Sequence, residues 1–262
     1  MIKKTILTFL CLILISGSTG NASPIANPTV AIPDARASVG ISYHLGGYSI
    51  TADTVPCMLN RVDARLSYSP VSMINFGIDL GAVQMSVAGD TGVTDTVGVF
   101  DGNFGFSGGG HLKVSSPFFF NERLAVVGIA KATYFTSEND QGAFYGGTDG
   151  AGVLGVQFHI PGFGYITAGP MLYVIMGENR SYNDISGEYS NVNNLRGWLS
   201  IDFFPRMKIA SNNLPYISFE ISLSPEADFN NRAPIEEFSF SISVGTVTKR
   251  LYGEMTDIEW QP

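Results

Sequence analysis

The chain has 262 residues, a formal net charge of −8 and 30 glycines, and while 45% of its residues are hydrophobic only 15% are charged. An ordinary soluble domain carries roughly 25% charged residues, so this chain is short of the groups that keep a surface in water, yet its apolar and aromatic content excludes the disordered class. A pI of about 4.8 and the lack of any Lys/Arg run longer than the pairs Lys3-Lys4 and Lys249-Arg250 exclude a basic nucleic-acid binder.

Residues 1–22 read as a secretory signal peptide. Lys3 and Lys4 form a positive start, Ile6–Ile15 an apolar run, and Gly20 and Ala22 are small residues suited to a cut before Ser23. A retained transmembrane helix needs ~20 apolar residues, about twice that run. Cys11 has no small residues before it, which argues against a lipoprotein cut. Removing the two lysines takes the formal charge from −8 to −10 and leaves Cys57 as the one cysteine, so no intramolecular disulfide is expected. No boundary, repeat or low-complexity tract divides 23–262, which is expected to be a single domain.

Beyond this segment the dominant signal is period-two alternation, the mark of a pleated strand. In chain order, Val39, Ile41, Tyr43 and Leu45 oppose Ser38, Gly40, Ser42 and His44. Val62, Ala64, Leu66 and Tyr68 oppose Arg61, Asp63, Arg65 and Ser67, and Ile74, Phe76, Ile78 and Leu80 oppose Asn75, Gly77, Asp79 and Gly81. Phe104, Phe106, Leu112 and Val114 oppose Ser107, His111, Lys113 and Ser115. Weaker alternation near 124–135, 151–160 and 163–176, the last interrupted by Pro170, is followed by three clean segments: 195–203, 217–223 and 237–244. These add to about ten strands (8–12 allowed) over 37–250.

Short connections at Ser69–Ser72, Pro117–Glu122, Pro161–Gly162 and Arg206–Leu214 alternate with longer polar ones at Gly46–Cys57, Ala88–Asn103, Thr136–Asp149, Gly177–Asn193 and Pro225–Ile235. Short turns at one end and long loops at the other are the pattern of an antiparallel up-and-down transmembrane barrel. A secreted soluble β-sandwich or lipocalin-like binding protein also alternates. Against it, the polar faces are Ser, Gly and Thr with isolated charges, not the Lys/Glu of a solvated sheet. Aromatics also mark both ends of the apolar faces: Tyr43, Phe104, Phe106, Tyr134 and Phe238 towards the loops, Tyr68, Phe76, Phe118, Phe158 and Phe203 towards the turns. Two such belts match the two interfaces of a bilayer. On these grounds the chain resembles the small porin-like or OmpA-like outer-membrane β-barrel proteins of Gram-negative bacteria. Its final strand, Glu237–Val247, resembles their C-terminal assembly strand, although Lys249–Pro262 follows it. The resemblance implies a place in the outer membrane, with outer-membrane lipid or lipopolysaccharide as surroundings and cations or small solutes as ligands.

If the apolar set faces lipid, the interior receives Arg61, Arg65, Lys113, Lys131 and Arg196 against Asp63, Asp79, Asp202, Glu220 and Glu237. Arg65 and Asp79 flank a turn near Ser69–Ser72 and are expected to pair. Ten strands enclose little free space, so this network reads either as a charged constriction passing small solutes or as a salt-bridged plug. The loops carry Asp53, Asp90, Asp95, Asp101, Glu138, Asp140, Asp149, Glu178, Asp184, Glu188, Glu226 and Asp228 against only Arg180 and Arg232. That anionic rim draws cations within a Debye length of ~8 Å. No calcium-loop spacing, other metal motif or cofactor site is present.

Enzymatic activity is not expected. Omptin-type barrel hydrolases need acids and a histidine gathered at the outer rim, whereas His44, His111 and His159 fall at three different levels and are not expected to converge. Gly150-Ala-Gly152-Val-Leu-Gly155 spells a dinucleotide fingerprint, but the fingerprint requires a helix after it, and here Pro161-Gly162 ends a strand.

Overall fold

Period-two alternation becomes eleven strands: β1 Arg36–Ser49, β2 Pro56–Val71, β3 Ile74–Val87, β4 Phe100–Asp101, β5 Gly105–Ser115, β6 Leu124–Glu138, β7 Phe144–Ile160, β8 Gly164–Arg180, β9 Ser186–Phe203, β10 Asn213–Leu223 and β11 Phe238–Thr248. The structure is a computed structural model and describes residues 36–50, 55–87, 99–121, 123–180, 186–205, 213–224 and 238–248. The expected signal peptide lies outside the described residues.

Ten of the strands close into one antiparallel barrel. Each pairs with its successor, and β11 returns to β1 in a nine-rung ladder from Ser38↔Val247 to Gly46↔Ser239. The two-residue β4 extends the barrel by pairing with the end of β3 (Ser86↔Asp101, Val87↔Phe100). Closure matters energetically, because it removes the unpaired edges an open sheet would expose. At one end two of the connections turn on residues with positive φ. Gly162, with φ 75°, turns β7 into β8, and Phe120 and Asn121, with φ 52° and 58°, turn β5 towards β6.

At the other end, three of the five expected long loops are half or more strand. Ile50–Val55 closes β1 onto β2, with the Ile50 amide donating to the Val55 carbonyl at 2.9 Å. Residues 139–143 join β6 to β7, and 181–185 join β8 to β9. The outward face turns polar where these strands extend, on β6 from Val126 and Tyr134 to Glu138 and on β8 from Leu172 and Met176 to Glu178 and Arg180, and β3 shows the change on both faces. On β3 the outward set runs Ile74, Phe76, Ile78, Leu80 and then becomes Gln84 and Ser86, while the inward set changes from Asn75 and Asp79 to Val83, Met85 and Val87. The strand continues, but its polarity swaps sides.

The exterior is apolar along the remainder. Ile41 is 59% exposed, Leu154 65% and Leu195 57%, and the other long strands present Leu66, Ile78, Leu112, Val126, Leu172 and Phe219 in the same way. Phe240, Ile242 and Val244 of β11 are half-exposed.

Candidate functional site

Among the described residues, ten charged side chains are buried inside the barrel: Arg61, Arg65, Lys113, Lys131 and Arg196 with Asp63, Asp79, Asp149, Asp202 and Glu220. Strand alternation explains all ten, since each falls on the inward parity of β2, β3, β5, β6, β7, β9 or β10. Nine were assigned to the interior from sequence. The tenth, Glu237, lies outside the described residues, and Asp149 takes its place in the balance of five against five. Asp149 therefore does not belong to the rim. It sits inside β7 because Thr136–Asp149 is largely strand and 149 shares the parity of Ala151 and Val153.

The pairs form at two scales. Arg65 and Asp79 are direct ladder partners on β2 and β3, and Arg65 Nε donates to Asp79 Oδ1 at 2.7 Å. Other links cross the interior between strands that are not neighbours. Arg61 Nη2 on β2 donates to Asp149 Oδ2 on β7 at 2.8 Å, and Lys131 Nζ on β6 lies 3.7 Å from Asp63 Oδ2 on β2 and 3.4 Å from Asp79 Oδ2 on β3. Lys113 Nζ donates to Gln157 Oε1 at 2.8 Å, and Arg196 Nη2 of β9 donates to the Gly47 carbonyl of β1 at 2.8 Å. The serines of β9 and β10 hold Asp202, with Ser218 Oγ and Ser200 Oγ donating to its carboxylate. Trp198 Nε1 donates to Glu220 Oε2 at 3.3 Å. Burying a charge is costly unless it is paired or hydrogen-bonded; most of these groups meet an opposite charge or a hydrogen-bond partner, while Asp63 and Lys131 face each other at 3.7 Å without a hydrogen bond.

Two histidines join the same cluster, contrary to the expectation that they stay apart. His44 Nε2 lies 3.6 Å from Asp63 Oδ2, and His111 Nδ1 lies 3.3 Å from Asp79 Oδ2. Lys131 reaches both carboxylates and so links the two levels. Gly77 makes room for the imidazole, because a Cβ there would run into the His111 ring and the Leu66 carbonyl. His159 stays apart, stacked on Tyr165 at 5.0 Å between ring centroids.

Ser67 Oγ lies 3.2 Å from His111 Nε2, which completes a Ser67–His111–Asp79 line shaped like a nucleophile relay. Its electrostatics oppose that role. Asp79 already serves Arg65 and Lys131, so the cationic imidazole a relay must form would sit beside two further positive charges. Ser67 is also only 4% exposed inside the barrel wall.

Sequence reasoning missed the aromatic layer that fills the loop end of the interior. Tyr48 of β1 meets Tyr173 of β8 at 4.2 Å, Phe100 meets Tyr145 at 4.6 Å, and Tyr145 meets Tyr189 at 5.7 Å. Arg196 stacks over Tyr48 at 4.7 Å and Arg61 lies over Phe135 at 6.0 Å. Parity was the available signal: Tyr48 follows His44 by four residues, and Trp198 sits between Arg196 and Ser200.

Of the acidic rim residues, Asp101, Glu138, Asp140, Glu178 and Glu188 are exposed at the loop end. Ser86 Oγ donates to Asp101 at 2.9 Å and Asn103 Nδ2 to Asp140 at 2.7 Å. Glu178 and Glu188 face each other across the β8–β9 ladder. Asp53, Asp90, Asp95, Asp184, Glu226 and Asp228 lie outside the described residues. Among the described residues no group of three or more His, Cys, Asp or Glu is placed to hold a metal ion. Together these features define a closed ten-strand antiparallel barrel with an ion-paired, aromatic-capped interior. No protein-family model matches the chain, and no curated protein matches it.

Proposed function

We propose that this protein is an outer-membrane β-barrel whose interior is closed, serving as a structural or surface-interaction barrel of the Gram-negative envelope without enzymatic activity. One observation carries the reading: large apolar side chains are exposed around the barrel while ten charged side chains are buried inside it, the reverse of a soluble fold. Apolar patches on monomeric soluble proteins rarely exceed a few hundred Å², and this belt encircles the molecule. A lipocalin-like binder needs the opposite arrangement, with its apolar faces inward. A membrane-spanning strand needs ~9–11 residues. β7 and β8 have 17 and β9 has 18, so on this reading their Gln84-level ends project beyond the lipid and carry the acidic rim towards cations and lipopolysaccharide.

Cross-lumen pairs favour the plug over the constriction. Incorporated into planar bilayers, the full chain is expected to give no resolved single-channel steps; cation-selective steps would replace the plug with a pore. Recovery of the mature chain as a monomer in buffer without detergent would refute the membrane reading itself.

A further inference from the structure

The exterior is not uniformly filled. A shallow, open-sided hollow of about 520 Å³ lies on the outer wall across β5 to β9, lined by Leu112, Val114, Ala130, Leu154, Leu172 and Leu195 among others. Its floor is strand backbone, because the consecutive runs Gly128–Ala130 and Gly152–Leu154 both line it. Gly128 and Gly152 point outward, and a Cβ built on either meets nothing within 4 Å. Beside them Pro170, which also lines the hollow, interrupts the wall. The β7–β8 ladder passes from Val153↔Met171 to Val156↔Ala168 with two rungs missing, because proline has no N–H to give.

We propose that this hollow is a seat for one acyl chain of a membrane lipid, an inference that rests on the membrane reading above. Three observations select that occupant. The lining side chains are all apolar, which leaves no partner for a headgroup, phosphate or peptide backbone. The apolar belt continues from the hollow around the barrel, as contact with lipid requires and a one-sided protein partner does not. A second copy whose twofold axis passed through the hollow would set hollow against hollow and leave the void open, whereas a flexible hydrocarbon chain can follow it. The missing side chains at Gly128 and Gly152 make the seat, and Leu112, Leu172 and Leu195 form its rim.

The test uses the full chain folded in dodecyl maltoside with dimyristoylphosphatidylcholine as the probe, read by native mass spectrometry under increasing activation. Gly152→Phe fills the hollow from its floor, Gly128→Leu does so from the neighbouring strand, and Ile41→Phe adds bulk to the belt elsewhere. Heat-modifiable gel mobility reports folding of each. Wild type and Ile41→Phe are expected to retain one lipid, and whichever filling variant folds should retain about tenfold less, the effect of losing roughly two buried methylenes. A wild type that retains no lipid, or equal retention after filling, overturns the seat. A dimer mass that disappears on filling overturns it in favour of a second copy. Either result in a barrel that still inserts into vesicles leaves the membrane reading standing, whereas a detergent-free soluble monomer removes both.

Discussion

Asp149→Ala tests whether the interior is held by its cross-lumen ion pairs. Arg61 and Asp149 are each 1% exposed and meet at 2.8 Å on strands that are not neighbours. The nearest carboxylate left to Arg61 is Asp63, which already faces Lys131 at 3.7 Å and His44 at 3.6 Å. Removing Asp149 therefore strands a guanidinium beside Tyr48, Tyr173 and Phe135. Breaking a buried pair from one side costs about 3–5 kcal/mol, whereas replacing both members with apolar residues of similar volume is often neutral or stabilising by about 1–4 kcal/mol. The matched variant is Arg61→Met with Asp149→Leu. Guanidinium unfolding of the detergent-folded barrel, followed by fluorescence of the interior Trp198, should show both single variants losing several kcal/mol and the double variant recovering most of it. The reasoning is refuted if Asp149→Ala costs less than about 1 kcal/mol, or if the double variant loses the sum of the two singles as independent sites would.

Three further outcomes follow from the same geometry. Arg65→Ala and Asp79→Ala should each lower the temperature at which heat-modified gel mobility changes, with Asp79→Ala the worse because it also releases His111 and Lys131; unchanged mobility in both sinks the plug. Gly77→Val should destabilise the barrel by about 1–3 kcal/mol through overpacking, visible as a lower unfolding midpoint and a displaced His111 ring resonance, and an unshifted resonance would contradict the tight fit. On β3, Ile78→Arg, at the middle of the outward apolar run Ile74–Ala82, should impair folding into lipid vesicles by about 2–4 kcal/mol on the membrane reading, while Gln84→Arg, six residues further along the same face, should be nearly silent. Equal and small effects at both positions would point to a water-facing wall.

Much of the architecture was legible because alternation is local. The inward sets of β1, β2, β3, β5, β9, β10 and β11 could be read one residue at a time. Arg65 and Asp79 could be paired because the β2–β3 turn brings them opposite each other within a single hairpin. Arg61–Asp149 could not, since the sequence separation is 88 residues and the partner is set by barrel tilt and strand count rather than by any turn. The histidines were misjudged for a related reason. Level along a strand was used as a proxy for distance, but a lysine reaching across the interior joins Asp63 to Asp79, and His44 and His111 with them.

The loops were overestimated because a single rule, apolar outward, was carried to the end of every strand. At Ala82–Val83 that rule reverses, and a reversed strand reads from sequence as a loss of pattern. The reversal also bears on which surroundings the barrel meets. In one continuous solvent a sheet has no reason to change which face is apolar partway along. Here the outward face goes from Leu80 to Gln84 as the inward face goes from Asp79 to Met85. On this strand the apolar side chains leave the outside where the charged ones leave the inside. On the proposed membrane reading, a boundary in the medium at that level accounts for both changes at once.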